Sequence, residues 1–319
     1  MNPLSHHLTQ RNLASVSMRQ RWVDRTASLP CPIARWVEHR LFPFRLRHMR
    51  PLAYGVSAEI DDQNIWQLQV GEKTVATSVP LAQLLGTPIQ PATIVATGPS
   101  AKSHEWQSGR MMVAVNGAPT FLKDRGIRPD LLVVTDPQFT KCCFEHFKNA
   151  PGVPLITTFR AASMLAKNAP EELANRPFTI IERVNSWYGI PALPLEDLLI
   201  LNRNAGSPFH FPECTKTQLK VGWSENPELG FFSGCNVVFA ALQVMIGLGA
   251  RDLEIVGMDL CGSSRVYQEC NPQPSLLKEQ YDRYILPSFA IMSEALKSTD
   301  IRVRNASPVC PLPTEFFAS

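Results

Sequence analysis

Apolar residues in this chain gather in short runs of about five positions, each cut off by a glycine, a proline or a small polar residue. From position 91 onward seven of these runs follow one another: "TIVAT" (93 to 97), "MMVAV" (111 to 115), "LLVVT" (131 to 135), "PLITT" (154 to 158), "FTIIE" (178 to 182), "LEIVG" (253 to 257) and "IRVRN" (301 to 305). Most are continuous rather than alternating, as expected of strands buried on both faces. Segments with helical spacing lie between several of them, at 118 to 125, 138 to 148 and 284 to 298. Strand, loop and helix in repetition predict an α/β domain over 91 to 319, built on a mostly parallel sheet flanked by helices.

Other segments break this rhythm. Residues 51 to 90 contain "NIWQLQVGEKTVATSVP", which alternates and turns at Gly71-Glu72-Lys73, predicting a small β-hairpin extension. The longest apolar stretch, "FFSGCNVVFAALQVMIGLGA" (231 to 250), holds Ser233, Asn236, Gln243 and three glycines, and reads as a helix buried inside the protein. Residues 183 to 230 are rich in Pro, Gly, Trp and Tyr and weakly periodic, which suits a lid or acceptor insertion, or a long surface excursion. In residues 30 to 50, Ile33, Trp36, Val37 and Leu41 recur at helical spacing with Arg35, His39 and Arg40 elsewhere on the wheel. This arm either lies in a bilayer interface or packs on the protein's own body or on a partner subunit.

Charge sharpens the view of that arm. The 319 residues carry a net +3, yet residues 1 to 50 hold nine arginines against Asp24 and Glu38, a net of +7 that leaves the rest at −4. A basic arm on a mildly acidic body points to an anionic membrane surface for the arm, not to a nucleic-acid groove over the whole protein. Eight cysteines without a CxxC pair read as reduced thiols with no zinc site.

Parallel sheets bind ligands beyond the carboxyl ends of their strands, so the residues after each run are the candidates. After the first come Gly98, Pro99 and Ser100, where a glycine lets backbone approach a phosphate and Ser100 offers an N–H and a hydroxyl to an anion. After the second, Asn116 either reads a base or ribose or caps the next helix. After the third, Asp136 binds a sugar or a metal, or serves as an N-cap. Ser233 and Gly234 precede the apolar helix, whose free N–H groups call for an anionic ligand or a capping side chain. Asp259 follows the sixth run, ahead of a loop holding Ser263, Ser264 and Tyr267.

In order, "ATGPS", "VNGAP", "TDPQF", "FSG", "ALQVMIGLGARDLEIVGMDL" with "GSSRVY", and "NASP" resemble the series of the bacterial sialyltransferases, glycosyltransferase family 42, over roughly 92 to 310. A wider related group that includes pterin pyrophosphokinases shares parts of the pattern. The resemblance implies a Rossmann-like domain that transfers a CMP-activated acidic sugar to a hydroxyl with inversion, with no metal or further cofactor required. By position, Gly98, Pro99 and Ser100 would wrap the nucleotide side of the donor and Asn116 would contact cytidine or ribose. Asp136 stands where the family has an Asn near the donor sugar. Ser233 and Gly234 would hold the donor carboxylate or cytidine, Ser263 and Ser264 would cover the nucleotide, and Tyr267 would give its hydroxyl to the leaving phosphate.

The family's basic His is missing before the last helix, where "NPQPSLLKEQYDRYILPSF" has none. Asp259, Glu279 and Asp282 are the carboxylates considered for that role and His210 the imidazole. The expected substrate set is a CMP-linked Kdo or sialic acid as donor and a lipid-linked glycan, such as a lipopolysaccharide core, as acceptor. Residues 30 to 50 would dock the chain on the cytoplasmic face of the inner membrane, alone or as a homo-oligomer. The rival readings are a pyrophosphokinase with Mg²⁺ on Asp136 and Asp259, and a non-catalytic binding protein.

Overall fold

The computed structural model describes residues 55–85, 89, 91–212, 219–260, 264–267 and 275–317. The basic arm and Ser263 lie outside the described residues. The chain enters through β1 (Ser57–Ile60), β2 (Trp66–Val70) and β3 (Lys73–Thr77), an antiparallel three-stranded sheet. Its second turn falls at Gly71-Glu72, as the alternation predicts, and Gly71 takes φ +62°, which costs a glycine little. The sequence pattern predicts only the hairpin; β1 adds a third strand.

The main sheet holds β4 (Ala92–Val95), β5 (Met111–Val115), β6 (Leu131–Val134), β7 (Leu155–Thr157), β8 (Phe178–Ile180), β11 (Asp252–Val256) and β12 (Arg302–Asn305). All seven predicted runs therefore become strands. Every pairing is parallel, in the order β12-β11-β4-β5-β6-β7-β8. The chain steps from β4 outward to β8, then crosses back to lay β11 on the other side of β4. Between β4 and β11 the strand order reverses, and that is where a sheet of this kind opens a crevice.

Helices cover both faces. Between the strands come α1 (Ala118–Lys123), α2 (Pro137–Cys142), α3 (Phe159–Asn168) and α4 (Glu171–Ala174). They are followed by α5 (Leu195–Asn204) and the two-residue strands β9 (Phe209–His210) and β10 (Trp223–Ser224). Next are α6 (Val237–Gly247), α7 (Leu277–Gln280), a π turn over Tyr281–Ile285, and α8 (Leu286–Leu296). The apolar stretch at 231 to 250 supplies α6, in which Val238 to Ile246 are all buried. At eleven residues it is a core helix, and no described helix is long and apolar enough to cross a membrane. Gln243 lies wholly inside the core and is satisfied there: its amide accepts from the N–H groups of Ser224 and Phe232 and donates to the carbonyls of Phe232 and Phe239.

The described residues between 183 and 230 pack on the main core. Val184, Trp187, Leu198, Phe209, Trp223 and Leu229 join the larger core cluster beside α6, and Trp187 Nε1 donates to the Leu229 carbonyl. That buried aromatic and aliphatic surface anchors the described part of the segment to the core.

Candidate active site

A cleft of about 830 Å³ opens over the carboxyl ends of the parallel strands and reaches from β11 to the end of β8. Gly98, Asn116, Asp136, Ser233, Asp259, Ser264 and Tyr267 all line it. Pro99, Ser100, Gly234, Glu279, Asp282 and His210 do not.

Each displaced residue has a physical reason. Gly98 is followed by a five-residue 3-10 turn, Pro99–Ser103, rather than an α-helix. The two donors of Ser100 that were expected to face a phosphate go instead to Asp259: the backbone N–H reaches Oδ2 at 3.0 Å and the hydroxyl bonds Oδ1. Gly98 sits under this clamp, and a side chain there would collide with Asp259 and the Gly257 carbonyl. Asp259 lines the cleft with each carboxylate oxygen accepting a bond from Ser100.

Gly234 gives its N–H to the Lys220 carbonyl at 2.8 Å, and so holds Lys220 over the cleft instead of reaching a ligand. The cap of α6 is Asn236, whose Oδ1 accepts from Val238 N–H at 2.8 Å. His210 turns away on β9 and meets Glu225 at 2.8 Å. Glu279 and Asp282 are exposed on α7 and the π turn.

Asn116 behaves differently from an N-cap. Its φ of +49° tips it off the end of β5, Gly117 takes the cap position without a side-chain bond, and the buried Asn116 Oδ1 has no hydrogen-bond partner. A buried carbonyl left unpaired costs about 1–3 kcal/mol, which a ligand donor would recover. Asp136 does cap α2, accepting from Gln138 N–H at 2.8 Å, while remaining exposed on the cleft wall. The Tyr267 hydroxyl lies directly over the Cα of Gly117, where any Cβ would collide with it, and its ring packs at 4.6 Å on His146. Burial holds His146 below its ordinary pKa, and Nδ1 meets the Thr120 hydroxyl at 2.5 Å.

The far wall carries groups that the motif reading passed over. Arg160, Glu182, Arg183, Lys220, Cys235 and Arg265 all line the cleft. Four basic side chains, Arg160, Arg183, Lys220 and Arg265, face three acids, Asp136, Glu182 and Asp259. Glu182 follows the last residues of β8, and its backbone carbonyl accepts from Phe231 N–H at 3.0 Å while Val184 N–H returns a bond to the Phe231 carbonyl. That pairing brings Glu182 and Arg183 beside the Ser233 turn. Glu182 Oε1 accepts from Phe159 N–H, the first residue of α3, at 3.0 Å, and the Tyr188 amide also bonds its carboxyl. Burial outweighs these bonds and the charges of Arg183 and Arg160, and pushes the Glu182 pKa up to about 7. Phe159 is in turn held by Trp66 of β2, stacked at 5.7 Å, and by Tyr188 at 4.3 Å. The sequence signal was faint: a single acid ending the run "FTIIE".

An α/β chain with its cleft at the strand-order reversal places a candidate ligand site where sheets of this kind open one. Comparison with known proteins finds similarity to two transferases. A stretch of 89 residues, 27% of this chain, is 38% identical to the probable 3-deoxy-manno-octulosonic acid transferase of Escherichia coli (strain K12). The match spans 30% of that relative's length. The solved sialyltransferase CST-II, in complex with a trisaccharide acceptor and CMP, aligns with 72% of this chain and 88% of its own at 13% identity, with a TM-score of 0.38. No family model matches.

Proposed function

We propose that this chain is a glycosyltransferase that moves a 3-deoxy-2-ulosonic acid, of the Kdo or sialic acid type, from its CMP ester to a hydroxyl of a lipid-linked glycan, with inversion. The observation that carries the reading is the cleft at the reversal between β4 and β11, with basic groups exceeding acids on its walls and an unpaired acceptor at Asn116. The nucleoside would lie over β4 and β5, against Gly98 and Asn116. Tyr267 and Ser264 would face the departing phosphate, where neutral hydroxyls strengthen their hydrogen bonds as charge develops. The basic groups suit the carboxylate of the donor sugar. The stretch shared with the probable Kdo transferase favours a donor of that chemistry. The acceptor would be a lipopolysaccharide core or a similar glycan, met at the cytoplasmic face of the inner membrane through residues 30 to 50.

The chemistry asks for no metal, since the leaving phosphate is already esterified to the sugar and hydrogen bonds meet its charge. The test is a thermal-shift titration with CMP, CDP, ATP and GTP, each with Mg²⁺ and with EDTA. Stabilisation by CMP in EDTA is expected. Stabilisation by ATP alone, and only with Mg²⁺, would replace this reading with phosphoryl transfer, and no shift with any nucleotide would leave a non-catalytic binding protein.

A further inference from the structure

The transfer needs a base for the acceptor hydroxyl, and none of the four groups read from the sequence is placed to act. Asp259 has both oxygens bonded to Ser100, His210 pairs with Glu225 outside the cleft, and Glu279 and Asp282 do not line it. Asp136 is exposed at the cap of α2. Glu182 lines the cleft beyond the end of β8, is held by the Phe159 and Tyr188 backbone amides, and is pushed by burial toward proton affinity near neutral pH. Its position also suits an acceptor rather than a nucleotide. From the end of β5, where Asn116 sits, to the end of β8 is three strand spacings, about 14 Å. That is room for a nucleoside monophosphate and one sugar ring.

Resting on the transferase reading, we infer that Glu182 is the catalytic base that takes the proton of the acceptor hydroxyl. The O–H proton passes to a Glu182 carboxylate oxygen as the acceptor oxygen forms its bond to the anomeric carbon of the donor. The bond from that carbon to the phosphate oxygen breaks, its electron pair leaves with CMP, and the proton later returns to water. The Phe159 and Tyr188 amides fix the carboxyl group. Arg160 on α3 and Arg183 on the adjoining backbone supply positive charge that favours its ionised form against burial. Across the turn, Lys220 and Cys235 also line the cleft, and Lys220 and Arg183 both act on the Cys235 thiol. A base half-ionised near neutral pH combines availability with proton affinity, the condition under which such a group contributes about 10²–10⁴-fold.

The experiment uses the full chain and measures CMP release from CMP-Kdo and CMP-sialic acid, with water and with azide as acceptors. Azide is already an anion and needs no base. E182Q keeps an oxygen for the Phe159 N–H; its transfer to water is expected to fall about 100-fold or more, with transfer to azide and CMP affinity within threefold of wild type. The wild-type rate should rise with pH through an inflection near 7, and that inflection should vanish in E182Q. Equal loss with azide and water, or a retained inflection, assigns Glu182 a structural role and overturns the inference. E182D, which keeps the carboxyl but shortens it, should recover part of the water reaction, and no recovery counts against the inference as well. A wild-type chain that neither binds CMP nor releases it from either donor overturns the transferase reading itself, and the base assignment with it.

Discussion

Replacing Glu182 by Gln should make the protein more stable, and increasingly so as the pH rises. The carboxyl moves from an ordinary value of 4.5 to about 7 on folding, so the folded state binds the proton more tightly than the unfolded chain. Its contribution is therefore fully present below pH 4.5 and is lost as the pH rises through 7. Across that interval the loss amounts to about 3 kcal/mol, of which about 2 kcal/mol falls between pH 5.5 and 8.5. Gln cannot ionise, and its amide oxygen can still accept the Phe159 N–H. The gap between E182Q and wild type in urea unfolding should thus widen by about 2 kcal/mol over this range, or by about 4 °C in melting temperature for a chain of this length. A gap that stays constant with pH would refute the argument, because it would mean that burial does not perturb this carboxyl.

Three further outcomes are expected. Asn116→Gly keeps the left-handed backbone while removing the unpaired carbonyl; apo stability should hold within about 1 kcal/mol while CMP affinity drops about tenfold, measured by calorimetry. Gly117→Ala introduces no backbone strain but displaces the Tyr267 hydroxyl, so kcat should fall about tenfold or more with a melting point within a few degrees of wild type, checked by CMP-release kinetics and thermal melts. Ser100→Ala and Asp259→Asn should each destabilise by about 1–3 kcal/mol, and the double variant by clearly less than their sum, since the two side chains share one bond; a strictly additive cycle would dissolve the clamp.

The sheet could be read from the chain because burial on both faces leaves runs such as "LLVVT" that few other elements tolerate. The carboxyl edge was equally readable: Asn116, Asp136 and Asp259 follow their strands, Ser233 precedes α6, and all four reach the cleft. The partners of those residues were hidden. Ser100 and Asp259 are 159 positions apart, and only the adjacency of β4 and β11 turns two apparent anion ligands into one internal bond. His210 was the imidazole considered as base, yet Phe209 beside it is buried in a short strand pair while the imidazole leans outward to Glu225. Glu182 escaped notice for the opposite reason. Its character comes from Phe159, Tyr188 and the surrounding desolvation, and nothing in "FTIIE" distinguishes it from a strand end that has reached water.

The antiparallel sheet at the start of the described chain has a practical consequence. A fragment beginning near residue 91 would look like a clean domain, with the whole parallel sheet and every cleft residue named above. It would lack Trp66, which stacks on Phe159, and Ala58, whose N–H bonds the Tyr188 hydroxyl. It would also lack Val79, whose N–H pairs with the Phe178 carbonyl at the edge of β8. Both amides that fix the Glu182 carboxyl belong to residues propped from that sheet, so trimming the chain at its most obvious boundary would loosen chemistry about ninety positions away.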